Sequence, residues 1–122
     1  MPTIQGNRHV LAVQSVETSS RYYQDVLGFE ETLAVGDDWR FLSHGSCRIM
    51  LGQCVDEVPA GETGNHSYFA YWDVDDAAAI YESWKEKGAE ILKPLTDESW
   101  GQREFTVRTP DGHRITVGED IA

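Results

Sequence analysis

The run Arg48-Ile49-Met50-Leu51-Gly52 returns later in the chain as Arg114-Ile115-Thr116-Val117-Gly118, with arginine, isoleucine and the closing glycine repeated in place. Ile49 and Leu51 alternate with other residues in the first run, and Ile115 and Val117 do so in the second. That is the pattern of a strand with one face on a core. Recurrence of such a run signals two copies of one module. An amphipathic helix precedes each copy. Tyr22, Tyr23, Val26 and Leu27 fall on one stripe, with Gly28 as a left-handed stop and Ser15 or a neighbouring hydroxyl as the start. Ala77, Ile80, Tyr81 and Trp84 recur at helical spacing between an Asp75 cap and Gly88. Strand-like runs flank both helices, at 8–13, 30–35, 39–43 and 47–53, then at 68–74, 89–92, 103–109 and 113–118. Each half therefore reads β-α-β-β-β. A linker at about 56–65, with Pro59, Gly61 and Gly64, joins module 1 (about 1–55) to module 2 (about 66–122). The expected fold is α+β, both modules within the single domain that 122 residues allow.

Composition narrows the function. The formal charge of −11 opposes phosphate backbones and anionic membranes, so no nucleic-acid or membrane partner is expected. No apolar run reaches the roughly 18 residues of a membrane span, and Met1-Pro2-Thr3-Ile4-Gln5-Gly6 lacks the features of a signal peptide, so a cytoplasmic location is expected. Cys47 and Cys54 are too few for a disulfide framework and sit in strand-like surroundings that suit structural reduced thiols.

Short motifs occur in a fixed order. Val13-Gln14-Ser15-Val16 leads to Ser19 and Tyr22-Tyr23, then to Asp25-Val26-Leu27-Gly28-Phe29. Asp73-Val74-Asp75-Asp76, Lys87-Gly88-Ala89, Trp100-Gly101 and Thr109-Pro110-Asp111-Gly112-His113 follow. With these motifs on a duplicated module, the chain resembles the vicinal oxygen chelate superfamily, which includes glyoxalase I, extradiol dioxygenases, fosfomycin-resistance enzymes and bleomycin-resistance proteins. The resemblance covers nearly the whole chain. It implies that the two mixed sheets curl around a cavity with the helices outside. It also implies that metal-dependent members draw ligands from inward positions on the first and last strands of each module.

Side chains alternate along a strand, so one residue of slip exchanges cavity for core. Anchored on Val13, Ser19 and Leu27-Gly28, the first ligand position falls on Arg8, and His9 shares the helix side with Leu11 and Val13. The other three positions fall on Met50, Phe69 and Thr116. These four are not a metal set, so no metal and no cofactor are expected. His9, His66 and Glu119 form an alternative two-His-one-carboxylate triad only if each is misplaced in register. His44 reads as a turn residue and His113 as the first of a strand. The cavity-facing set is Arg8, Val10, Ala12, Arg48, Met50, Phe69, Tyr71, Asp73, Arg114 and Thr116. Such a mixture suits a wet ligand pocket, unless its arginines and aspartate simply pair with one another.

Lacking metal ligands, the chain is most similar to the bleomycin-resistance branch, whose members sequester a drug in a groove formed by a dimer. Trp39 and Trp100 are similar in place to aromatics of that branch, as stacking faces or as ordinary packing; Trp84, on the helix stripe, reads as packing. The expectation is a homodimer that binds a small molecule without a metal, possible antibiotic sequestration included, rather than an enzyme. The alternatives are a metal-dependent glyoxalase-like lyase or isomerase, a dioxygenase, or an interaction module. The ligand's charge stays open: the arginines suit anions and the acidic whole suits cations.

Overall fold

A computed structural model describes residues 2–56, 58–63 and 67–122. The chain divides into two compact units, Met1–Glu57 and Val58–Ala122. Unit 1 holds β1 (His9–Val13), α1 (Val16–Asp25), β2 (Glu30–Val35), β3 (Trp39–His44) and β4 (Cys47–Gln53). Unit 2 holds β5 (Tyr68–Asp73), α2 (Ala77–Glu86), β6 (Glu90–Asp97), β7 (Gln102–Arg108) and β8 (Arg114–Asp120), with a short 3-10 turn, Ala60–Glu62, before them. The strand orders, β1-β4-β3-β2 and β5-β8-β7-β6, are the same arrangement twice. In each sheet the first strand lies parallel to the last and the hairpin-linked strands are antiparallel. The architecture is thus α+β, two tandem βαβββ modules with mixed, open sheets.

Each helix covers one face of its own sheet. In unit 1 the buried set is Leu11 and Val13 from β1, Val16 and Tyr23 from α1, Leu27, Phe29, Leu42, and Ile49 and Leu51 from β4. In unit 2 it is Ala77, Tyr81 and Trp84 from α2 with Phe105, Val107, Ile115 and Val117. Each fully buried aliphatic side chain contributes about 1.5–3 kcal/mol, so these alternating strand positions fix the register. β1 demonstrates the rule: Leu11 and Val13 are buried, while Val10 and Ala12, which alternate with them, are exposed.

The helix starts repeat in detail. Ser15 Oγ accepts from the Thr18 backbone N–H at 3.2 Å, and Asp76 Oδ1 accepts from that of Ala79 at 3.0 Å. The cap of α2 is therefore Asp76 rather than Asp75; the two aspartates are adjacent and equally competent, and Ala77 as first helical residue decides between them. The last strand of each sheet adds a second acceptor: Gln53 Oε1 takes the Val16 N–H at 2.8 Å, and Glu119 Oε1 takes that of Ala77 at 2.9 Å. Gly28 and Gly88 end the helices at φ 79 and 94, backbone that favours glycine.

Two details depart from the sequence reading. The inward stripe of α1 includes the small residues Ser19 and Ser20, with Ser20 Oγ donating to Glu31 Oε1 at 2.8 Å, while Val26 is a half-buried C-cap. Strand β6 runs on to Asp97 through Pro94, which an edge strand with register breaks tolerates. Among the described residues, no helix is long and apolar enough to cross a membrane, which says nothing of membrane-crossing strands.

Candidate functional site

The faces away from the helices carry the polar and aromatic side chains. In unit 1, Val10, Met50, Phe41 and Leu33 align across four strands on that open face. Ala12, Gly52, Trp39 and Val35 form the next row. Trp39, 36% exposed, lies across Gly52: a Cβ at residue 52 would come within 3.1 Å of the indole. At the other end of the face, Arg8 sits 6.0 Å from the Phe41 ring centroid, and the Arg48 guanidinium occupies the space a Cβ on Gly6 would take. Arg8, Thr32, Phe41, Leu42, Ser43, Arg48 and Ile49 line a hollow of about 170 Å³.

Unit 2 builds its open face around a buried carboxylate. Glu104, only 6% exposed, is paired with Gly118 across the sheet, and Tyr71 lies over that glycine to reach it. Tyr71 donates from its hydroxyl to Glu104 Oε2 at 2.7 Å, and its oxygen lies 3.1 Å from Gln102 Oε1. Lys93 Nζ donates to Glu104 Oε1 at 2.7 Å and contacts Glu98 Oε1 at 2.6 Å. Burial alone would raise the Glu104 carboxyl, but the hydrogen bonds from Lys93 and Tyr71 together with the lysine charge hold it below the ordinary value. Burial lowers Lys93, and its two carboxylate partners outweigh that and raise it. Burial, the Glu104 bond and the charges of Glu104 and Asp73 push the Tyr71 phenol above its ordinary value, so it stays a neutral donor. Trp100, 62% exposed, has Lys93 Nζ 5.8 Å from its ring. Tyr71 is thus an aromatic surface bonded to the carboxylate, and Trp100 lies against the lysine that pairs with it.

The remaining positions divide by register. Arg114 packs its guanidinium 5.4 Å from the Tyr68 ring, Thr116 meets Thr106 hydroxyl to hydroxyl at 2.9 Å, and Asp73 is exposed at the end of β5. Phe69 is a correction. The pairing of β5 with β8 slips between Tyr68 and Ala70, so Tyr68 faces outward with Arg114. Phe69 packs edge-on against Trp72 and His113, at 6.0 and 5.6 Å, and Trp72 in turn meets Trp84 of α2. A bulge inverts one residue's facing.

The donors at the metal-ligand positions do not fit a divalent ion. In unit 1 they are a guanidinium, Arg8, and a thioether, Met50; in unit 2 they are Thr116 and either Phe69 or the Tyr68 phenol that replaces it outward. Of the alternative triad, His9 lies on the helix side of β1, where burial lowers its pKa, and Glu119 caps α2. His66 lies outside the described residues. Among the described residues, no three His, Cys, Asp or Glu gather closely enough to hold an ion. Both cysteines are free, and burial pushes the Cys47 thiol up to about 11, away from nucleophilic use. His44 closes β3 with its ring 5.4 Å from Phe29, and His113 immediately precedes β8.

The model of the Glyoxalase/Bleomycin resistance protein/Dioxygenase superfamily matches residues 6–117. The chain belongs to this superfamily. Solved structures of similar fold include TioX from Micromonospora sp. ML1, at 22% identity and TM-score 0.75, covering 97% of this chain and 98% of that one. The bleomycin-binding protein of Streptomyces verticillus, in complex with copper(II)-bleomycin, matches at 23% identity and TM-score 0.74, covering 100% and 99%. Lactoylglutathione lyase from Agrobacterium tumefaciens matches at 19% identity and TM-score 0.69, covering 97% and 94%. No curated protein matches the sequence. At these identities the likenesses establish the superfamily fold and leave the ligand to this member's own side chains.

Glu104, Lys93, Thr32, Phe41, Ser43 and Tyr68 were not singled out from sequence. For Glu104 a signal existed: in Gln102-Arg103-Glu104-Phe105-Thr106-Val107, the apolar positions alternate with Glu104 and Thr106, which places the carboxylate on the open face.

Proposed function

We propose that this superfamily member is a homodimeric small-molecule binding protein that holds its ligand against the open sheet faces without a metal and acts by sequestration, with a planar antibiotic as the ligand class. The observation that carries the reading is the pair of exposed aromatics beside the buried Glu104: Tyr71 donates to its carboxylate, and Trp100 lies against Lys93, which pairs with the same carboxylate. An exposed aromatic held by a bond to a buried charge, as Tyr71 is, loses little freedom on binding, which is where a stacking surface gains affinity. Trp39 over Gly52 offers a second flat surface. Arg8, Arg48, Met50, Asp73, Arg114 and Thr116 supply the polar and soft contacts, with Tyr68 in the outward place expected of Phe69.

Sequestration needs no reacting group. The protein withholds the compound in proportion to site concentration and affinity, and the shifts in unit 2 favour an ionised Glu104, a charged Lys93 and a neutral Tyr71 near neutral pH. Support comes from the superfamily, in which a protein of the same fold binds bleomycin. Isothermal titration with metal-free bleomycin and a panel of planar cationic and anionic compounds tests the reading: saturable binding that weakens in Trp100→Ala is expected, and no heat above background from any member would remove it. Metal analysis of protein purified without chelator is the companion measurement. Near-stoichiometric Zn, Ni, Fe or Mn would replace this reading with the metal-dependent lyase or isomerase.

A further inference from the structure

We propose that the hollow between Arg8 and Arg48 on unit 1 is a carboxylate subsite, taking a small organic acid whose flat ring lies toward Phe41. The proposal deepens the reading above, from which it takes the open face as the place of the ligand. Its residues do not overlap the Glu104 network.

Acidic residues outnumber lysine and arginine by 21 to 10, so a carboxylate partner is easy for this sequence to provide. Arg21, Arg40, Arg103 and Arg108 each have one. Among the described residues Arg8 and Arg48 contact none, yet both line the same hollow. Two guanidiniums at one concavity would repel unless something anionic sits between them, and a guanidinium fork matches a carboxylate with paired, charge-assisted hydrogen bonds.

The wall is built for such a guest. Gly6 leaves the Arg48 guanidinium its position, since a side chain at residue 6 would displace it. Thr32 Oγ1 donates to the Phe41 carbonyl at 3.2 Å, which fixes that hydroxyl at the rim, and Ser43 adds a second hydroxyl. Phe41, with the Arg8 cation 6.0 Å from its ring centroid, lines the same hollow and gives it an aromatic wall. The volume, about 170 Å³, falls below the roughly 300–1,000 Å³ range of sites that enclose a drug-sized molecule. It fits one carboxylate with one ring. The long-range field of a −11 chain repels anions, so discrimination rests on these local contacts.

The test is titration of the whole chain with benzoate and with benzamide, its neutral isostere, in wild type and in Arg8→Gln, Arg48→Gln and Arg48→Lys. Benzoate is expected to bind, benzamide about tenfold or more weaker, and each Gln variant to lose about tenfold in benzoate affinity, with Arg48→Lys between wild type and Arg48→Gln. Unchanged thermal midpoints certify the fold of these surface variants. Equal binding of benzamide, undiminished benzoate binding in both Gln variants, or no benzoate binding at all would each overturn the subsite. Arginine-dependent benzoate binding alongside silence from bleomycin and the planar panel would sink the sequestration reading and leave the subsite standing. Trp100-dependent binding of the panel with no response to benzoate would do the reverse.

Discussion

In unit 1 an indole, Trp39, lies across Gly52; in unit 2 a phenol, Tyr71, lies across Gly118 at the same place in the repeat. Behind them the helix-side apolar residues correspond, Ile49 with Ile115 and Leu51 with Val117, and Gln53 and Glu119 both reach the start of their helix. In front of them the units diverge. Unit 2 buries a carboxylate and neutralises it with Lys93, whereas unit 1 leaves two arginines without a carboxylate among the described residues. The difference shows where the module is constrained. Core packing and helix capping leave few acceptable side chains, while the open face needs only a strand-compatible backbone and is free to specialise.

Five substitutions probe this comparison. Ile49→Ala and Ile115→Ala should each cost about 2–5 kcal/mol in denaturant unfolding, because both are fully buried beneath a helix. A small loss at only one of them would break the equivalence of the cores. Glu104→Gln, which has no counterpart in unit 1, should cost about 1–3 kcal/mol near neutral pH by weakening the bonds from Lys93 and Tyr71. Because Glu104 titrates below its ordinary 4.5, its contribution is present above that value and is lost as pH falls through the folded value, so wild type and variant should converge in acid. Lys93 and Tyr71 are raised instead, so their shares hold below 10.5 and 10.0 and fade as pH rises through the folded values. A gap independent of acid pH would remove the charge network from the account. The smallest effect is expected from Gln53→Ala and Glu119→Ala, about 0.5–2 kcal/mol each, as losses of a helix-terminal acceptor seen by thermal unfolding.

The repeat, the helices and the facing of His9 were legible because they rest on periodicity: a buried Leu11 and Val13 put the histidine on the helix side of β1, whatever chemistry it suggests. Phe69 was not legible. In Tyr68-Phe69-Ala70-Tyr71-Trp72 both parities are apolar or aromatic, so the run gives no sign of the extra residue that turns Phe69 toward Trp72. The cap of α2 was read one residue early because Asp75 and Asp76 offer the same acceptor. The Glu104 network joins β5, β6, β7 and the loop carrying Trp100, and its meeting point depends on the register breaks in β6, which leave no periodic trace. The hollow of unit 1 was half legible: Arg8 and Arg48 followed from parity, whereas Thr32 reaches it through a bulge in β2.

The chain's four tryptophans allow one direct measurement of whether ligands are met by the open faces: indole N–H chemical shifts followed during titration with metal-free bleomycin or with whichever planar compound of the panel binds. Trp39 and Trp100 lie on the open faces, while Trp72 and Trp84 pack against each other on the helix side of β5. The account predicts that the Trp100 signal shifts saturably, that Trp39 moves only with ligands that reach unit 1, and that Trp72 and Trp84 stay in place. Saturation that moves Trp72 or Trp84 and leaves Trp100 unchanged would contradict it.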